Sequence, residues 1–215
     1  MTVFVCAMPD EAECAIRLLD DTREERLFGR RVVFGSRAGI PFAVVVSGIG
    51  KSNAAAATQL ALQIGGPDVL VFNLGLSGGF GATVEMFGVY EVLRAVEYDF
   101  DLADLNGTAK GVLDERDTPY IPLAVKGRLP ARTLATGDRF SDDESDHGYL
   151  TAELGAELRD MEGAAVAHVC ETAGAPCFAL KCVSDVAGEG SMTGQFRTHR
   201  TRCLEVLAKA LEAYV

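Results

Sequence analysis

Positive charge is scarce in this sequence. Lys and Arg number 20 against 31 Asp and Glu, for a formal net charge of −11. A nucleic-acid or anionic-membrane surface wants a basic patch, so neither is expected as a partner. Long hydrophobic runs are missing as well. No segment reaches the ~18 apolar residues that a membrane helix needs. The N-terminus starts on a strand pattern at once, with no basic n-region and no long apolar h-region. Paired cysteines are absent: Cys6, Cys14, Cys170, Cys177, Cys182 and Cys203 form no C-x-x-C. Four of them sit in apolar segments, where a free cysteine behaves as a small hydrophobe. A reduced, cytoplasmic protein is expected. The histidines are only His147, His168 and His199, without ligand spacing, so no metal site is expected, and no cofactor is implied.

The familiar nucleotide fingerprints are missing too. Ser47-Gly-Ile-Gly-Lys-Ser-Asn53 carries a Gly-Lys-Ser fragment, but the first glycine of G-x-x-x-x-G-K-[ST] would have to be Val45. Triphosphate binding is rejected on that ground. A glycine turn feeding a helix can still hold a polar ligand close to backbone. Gly75-Leu-Ser-Gly-Gly79 does not have the G-x-G-x-x-G spacing, so the dinucleotide fingerprint is absent as well. It is expected to form a permissive loop.

What is present is an alternation of strand and helix patterns in an ordinary globular composition, 48% hydrophobic and 24% charged. Thr2 to Ala7 is an apolar strand, followed by a turn and a helix from Pro9 to about Leu19. Asp20 to Arg26 is charged and exposed. Arg31 to Arg37 and Phe42 to Ser47 pair as strands. An Ala-rich helix runs to about Ile64. Pro67 to Asn73 and Val89 to Val96 are strands. Asn106 to Pro122 is a long polar loop, for a partner or as a lid. Thr133 to Thr136 is a strand, and Ser141 to Asp146 an acidic, solvated run. Leu158 to Glu162 ends a strand, and Gly163 to Thr172 is a helix of small residues. An amphipathic helix runs from about Thr198 to Tyr214, with Cys203, Val206, Leu207 and Leu211 inward. His199, Arg197, Arg200 and Arg202 are expected on its solvated face. The pattern predicts one α/β domain over residues 1–215, a central mixed twisted sheet flanked by helices.

The stretch Phe178-Ala-Leu-Lys-Cys-Val-Ser-Asp185 is a near-continuous apolar run, as expected of a strand buried on both faces. It ends on Ser184-Asp185, a pair that also serves as an ordinary helix cap or turn. Open α/β sheets place ligands outside the carboxyl ends of their strands. Two other carboxylates, Glu11 and Glu162, stand at strand-to-helix junctions. Asp185, at the end of an apolar strand, is the better candidate for a raised pKa. Glu11, at a helix start, is the better candidate for an ionised carboxylate. A pair split in this way suits cleavage of a glycosidic bond, where one group protonates the leaving base and the other activates water.

Five segments in this order carry a resemblance: Ala7-Met-Pro-Asp-Glu11, Ser47-Gly-Ile-Gly-Lys51, Asn73-Leu-Gly-Leu-Ser-Gly-Gly79, Met161-Glu162-Gly-Ala-Ala-Val-Ala and Val183-Ser-Asp185-Val-Ala. Together they resemble the nucleoside phosphorylase superfamily, over nearly the whole chain. The nearest branch is similar to the 5′-methylthioadenosine/S-adenosylhomocysteine nucleosidases. The resemblance implies hydrolysis of the N-glycosidic bond of a purine nucleoside, with release of adenine and a thioribose. It implies Glu11 as the residue that activates water and Asp185 as the acid at purine N7. Met161 and Glu162 match the ribose-binding pair, Phe140 the aromatic residue near the base and Ser184 a residue at the base edge. Ile49 lies near the 5′-substituent. Family members commonly form homodimers in which a partner loop helps close the 5′ end, so a homodimer is expected.

Two positions depart from the family pattern. A serine follows the first glycine of the Gly75–Gly79 segment in the bacterial enzymes, where this chain has Leu76, with Ser77 one residue later. The family arginine four residues before the aspartate is Lys181 here. Both positions help hold the nucleophilic water in the family, so Ser77 and Lys181 join the candidate substrate-binding residues. Lysine supplies the charge but not the planar fork of donors. A purine nucleoside phosphorylase, a hydrolase for another nucleoside such as futalosine, and a non-catalytic nucleoside-binding protein are the alternatives. The carboxylate of Glu11, where phosphate would sit, argues for water as nucleophile.

Overall fold

A computed structural model describes residues 1–113, 116–140 and 146–215. The acidic run expected from Ser141 lies outside the described residues apart from Asp146. The apolar segments named above become β1 (Thr2–Cys6), β5 (Leu70–Gly79), β6 (Val89–Glu97), β8 (Ala131–Thr136), β9 (Leu158–Asp160) and β10 (Cys177–Val186). A three-stranded wing is added by β2 (Asp20–Leu27), β3 (Arg30–Arg37) and β4 (Ile40–Val46), and β7 (Ile121–Pro122) pairs with β6. The mixed sheet runs in the order β10-β6-β8-β9-β5-β1-β4-β3-β2, and a further β10–β5 pairing closes the first five strands into a ring.

Helices cover both faces of this sheet. On one side α2 (Lys51–Gly65) packs against α4 (Gly163–Thr172) through Ala54, Ala57, Ala61, Ala164 and Ala165. Small side chains allow that close approach. On the other side α1 (Pro9–Ile16) meets α5 (Met192–Leu211) through Ala12, Cys14, Ala15, Cys203, Leu207 and Leu211. A four-residue turn of helix, α3 (Ala103–Asn106), precedes the long loop. All six cysteines are free and buried, where four were expected to behave as small hydrophobes. Among the described residues no helix is long and apolar enough to cross a membrane.

Several local expectations need correction. The Gly75–Gly79 segment is not a loop but the second half of β5, in parallel register with β10 from Val71↔Cys177 to Gly79↔Val186. Its glycines serve close approach rather than turning. A Cβ at Gly75 would stand 2.7 Å from Glu11 Oε1, and one at Gly78 would stand 2.9 Å from Asp185 Oδ1. The charged Asp20–Leu27 segment is an exposed edge strand, a common way to blunt a sheet edge against further pairing. Helix α1 stops at Ile16, three residues early. Helix α5 starts at Met192, six residues early, where Ser191 Oγ accepts from the Gly194 N–H at 3.1 Å. The long polar loop is partly packed, with Val112 and Leu113 buried.

Candidate active site

The site lies where the sheet splits. β1 pairs with β5 only from Thr2↔Leu70 to Val5↔Asn73. β9 takes the same role further on, at Gly78 and Gly79. Between these pairings the Leu76 N–H points at a side chain instead of a strand, donating to Glu11 Oε1 at 2.8 Å. The second Glu11 oxygen accepts from the Met8 N–H at 2.9 Å. This crevice at the strand ends is where an α/β sheet offers space to a ligand.

A cavity of about 460 Å³ occupies it. Of the candidates read from the sequence, Glu11, Ile49, Ser77, Phe140, Met161, Glu162, Ser184 and Asp185 all line it. Glu11, Ser77, Glu162, Ser184 and Asp185 are buried, while Ile49 and Phe140 are exposed at its mouth. Ser184 Oγ lies 2.7 Å from Asp185 Oδ2 and 3.2 Å from the Ser77 carbonyl. The Phe140 ring meets Phe196 of α5 edge-on, with centroids 5.6 Å apart.

Lys181 is the exception. It does not line the cavity but lies behind it, 2% exposed, with Nζ 2.8 Å from Asp160 Oδ2. Side chains alternate along a strand, and this one falls beneath the carboxylates rather than beside the ligand space. Despite burial, its ammonium pKa is raised by Asp160, Glu162 and Glu11. Asp160, which sequence reading passed over, is the hub of this layer. It accepts from Thr136 Oγ1 at 2.5 Å and from the Gly163 N–H at 2.8 Å. Its only signal in the sequence is its place two residues before Glu162.

Burial governs Glu11 and Glu162. It pushes the Glu11 carboxyl above its ordinary range, against the pull of Lys181 and the Leu76 and Met8 N–H groups. At this helix start desolvation is the largest influence on the Glu11 carboxyl. Glu162 is pushed up to about 7 by burial and the Asp160 charge, with Lys181 opposing. A carboxyl raised in the fold stabilises most when both states are protonated. That contribution is lost as pH rises from the unfolded value of about 4.3 toward about 7. The thermal midpoint is accordingly expected to fall between roughly pH 4 and pH 7, and to fall less in Glu162→Gln. An equal slope in the two proteins would remove Glu162 as its source.

The Gly-Ile-Gly-Lys turn is also spoken for. The Gly50 N–H donates to Glu162 Oε1 at 2.8 Å and the Lys51 N–H to Asp138 Oδ1 at 2.7 Å. Lys51 Nζ binds Asp99 at 2.6 Å and Glu97 at 3.2 Å. The first N–H groups of α2 thus hold the protein's own carboxylates. Also unforeseen are the arginines. Arg159, Arg197 and Arg200 line the cavity, so the face of α5 expected to be only solvated is partly a wall of the site. Arg200 pairs with Asp10 at 2.6 Å.

Four buried acids on one crevice at the carboxyl ends of the strands, under an aromatic lip, define an α/β protein with a small-molecule site. The chain belongs to the Phosphorylase superfamily, whose family model matches residues 2–215. It is similar to the 5′-methylthioadenosine/S-adenosylhomocysteine nucleosidase of Bacillus velezensis, 31% identical with 86% of this chain and 85% of that one covered. It is also similar to the aminodeoxyfutalosine nucleosidase of Campylobacter jejuni, at 27% over 85% and 84% of the two chains. A Helicobacter pylori MTAN mutant with 5′-methylthioadenosine in its active site shares the fold at TM-score 0.90. It is 23% identical, covering 99% and 96% of the two chains.

Proposed function

We propose that this protein hydrolyses the N-glycosidic bond of a purine nucleoside of the 5′-methylthioadenosine or S-adenosylhomocysteine type. The observation that carries this reading is the convergence of Glu11, Glu162 and Asp185 on one cavity. Water attacks the ribosyl C1′ while Glu11 takes its proton. The C1′–N9 bond breaks, and its electron pair leaves with the base. Asp185 donates a proton to N7, so the base departs neutral. Glu162 accepts from the 2′- and 3′-hydroxyls and favours the positive charge growing on the sugar, with Met161 against the ribose. Phe140 packs on the base, Ser184 stands at its edge and Ser77 near the attacking water. Ile49 flanks the 5′-substituent. A raised Glu11 pKa suits a general base working near neutral pH.

Lys181 acts from behind, holding Asp160 in place and countering Glu11 and Glu162. Water rather than phosphate is supported by the acidic inner wall and by the engaged N–H groups of α2. The same reading takes residues 1–215 as one domain in a cytoplasmic homodimer that serves methionine salvage. The free, buried cysteines support a reducing compartment. A futalosine-type nucleoside is the second reading, favoured by the similarity to the aminodeoxyfutalosine nucleosidase. The test is release of free base from methylthioadenosine, S-adenosylhomocysteine, adenosine and inosine, with and without phosphate. Adenine from the thio-substituted nucleosides without phosphate is expected. Turnover that depends on phosphate would overturn the role given to Glu11.

A further inference from the structure

The Ser47-Gly-Ile-Gly-Lys51 turn ends on a lysine to which the chemistry above gives no task. Lys51 is not part of the cavity wall. Its Nζ lies 2.6 Å from Asp99 Oδ1 and 3.2 Å from Glu97 Oε2. Against burial, these two carboxylates raise its ammonium pKa. Its own N–H donates to Asp138 Oδ1 at 2.7 Å. The Asp138 N–H in turn donates to Asp99 Oδ2 at 2.9 Å. The three residues therefore close a ring of hydrogen bonds, from Lys51 to Asp138 to Asp99 and back to Lys51. Asp99, Glu97 and Asp138 line the cavity no more than Lys51 does.

The ring fixes a turn that is loose by nature. Gly48 and Gly50 both have positive φ, 85° and 98°, and glycine leaves such backbone many alternatives. A Cβ at Gly50 would stand 3.0 Å from Asp138 Oδ1, so the approach of that acid also depends on the glycine. The Gly50 N–H comes just before that of Lys51 and is aimed at Glu162 Oε1, 2.8 Å away. Two neighbouring N–H groups thus grip two carboxylates, one inside the cavity and one outside it. Asp99 and Asp138 stand just beyond the ends of β6 and β8, which pair in parallel as far as Glu97↔Thr136. The aim of the Gly50 N–H is thereby set from the ends of two other strands.

We infer that Lys51 and Asp138 are positioning residues: locked in a ring with Asp99, they hold the Gly48–Gly50 turn so that the Gly50 N–H fixes the Glu162 carboxylate against the ribose hydroxyls. This rests on the nucleosidase reading, in which Glu162 accepts from the 2′- and 3′-hydroxyls. Neither residue touches the substrate. A functional group keeps its place only when the residues around it are themselves held. A released turn frees Glu162 to move and weakens its grip on the sugar.

The test compares kcat/KM for 5′-methylthioadenosine with that for its 2′-deoxy counterpart. The parent is expected to prefer the ribonucleoside about tenfold or more, as a hydrogen bond to a charged group is strong. Lys51→Met and Asp138→Ala are each expected to shrink that preference about two- to tenfold, the worth of one hydrogen bond. Asp138→Asn, which keeps an acceptor for the Lys51 N–H, should retain it. Asp138 is exposed, so its variants stay folded and decide the test should Lys51→Met unfold. In a Glu162→Gln background Asp138→Ala should change the ratio no further. A preference that Asp138→Ala leaves unchanged overturns the inference, whatever total activity is lost, as does a change that persists in the Glu162→Gln background. A parent without the preference overturns it too and leaves the nucleosidase reading standing. If the parent cleaves neither compound, that reading fails, and Kd is compared for the same pair. A ribose preference in Kd that is lost in Asp138→Ala and kept in Asp138→Asn supports the positioning role, and any other result overturns it.

Discussion

Asp185→Asn is expected to lower kcat by roughly 10²–10⁴-fold, the usual worth of a placed acid, while the protein stays folded. Asp185 is 1% exposed at the end of β10, with Ser184 Oγ 2.7 Å from Oδ2 and Gly78 packed against Oδ1. Asparagine keeps the volume and can still offer a hydrogen bond, but it has no proton to transfer to the departing base. The loss should therefore fall on kcat, with substrate still bound. Single-turnover base release, read beside the circular dichroism spectrum and thermal midpoint, checks this. Turnover near the parent rate from a folded variant would take the acid role away from Asp185.

Lys181→Met is expected to destabilise the fold by about 3–5 kcal/mol, the cost of removing one partner from a buried ion pair. The ammonium is 2% exposed and pairs with Asp160 at 2.8 Å. Without it, Asp160 is left as a buried carboxylate beside Glu162 and Glu11, and both of those lose the charge that holds their pKa values down. The urea midpoint should drop strongly. The double variant Asp160→Asn with Lys181→Met should recover part of the loss, because the orphaned charge is gone. A near-neutral single variant would mean that the pair is not charged in the fold. A folded Lys181→Met that had lost only substrate affinity would return Lys181 to the direct binding role first expected of it.

Much of the architecture was legible from local pattern. The apolar run of residues 178–185 reads as a buried strand because a strand covered on both faces needs no polar alternation, and it is β10. The small residues of 163–172 mark a helix that packs closely, and α4 keeps those bounds. The Gly75–Gly79 segment was misjudged because glycine permits both a turn and a close approach. Only the nearness of Glu11 and Asp185 shows which of the two applies. The start of α5 was missed because Met192 and Phe196 are the only apolar side chains in its first six residues, with Gly194 between them.

By itself the sequence determined the residue types and their order. It placed carboxylates at three strand-to-helix junctions in a chain with no nucleotide fingerprint and no metal-ligand spacing. Those properties are local, written in neighbouring residues. Tertiary structure alone decided which groups share a cavity and in what charge state. Asp160 and Lys181 pair because β9 and β10 both border β5, across twenty residues of chain that no periodicity links. Glu11 is pushed up by burial, which depends on the closure of the whole sheet. The arginines of α5 face the mouth because helix α5 crosses the strand ends, and amphipathic pattern alone marks them only as polar.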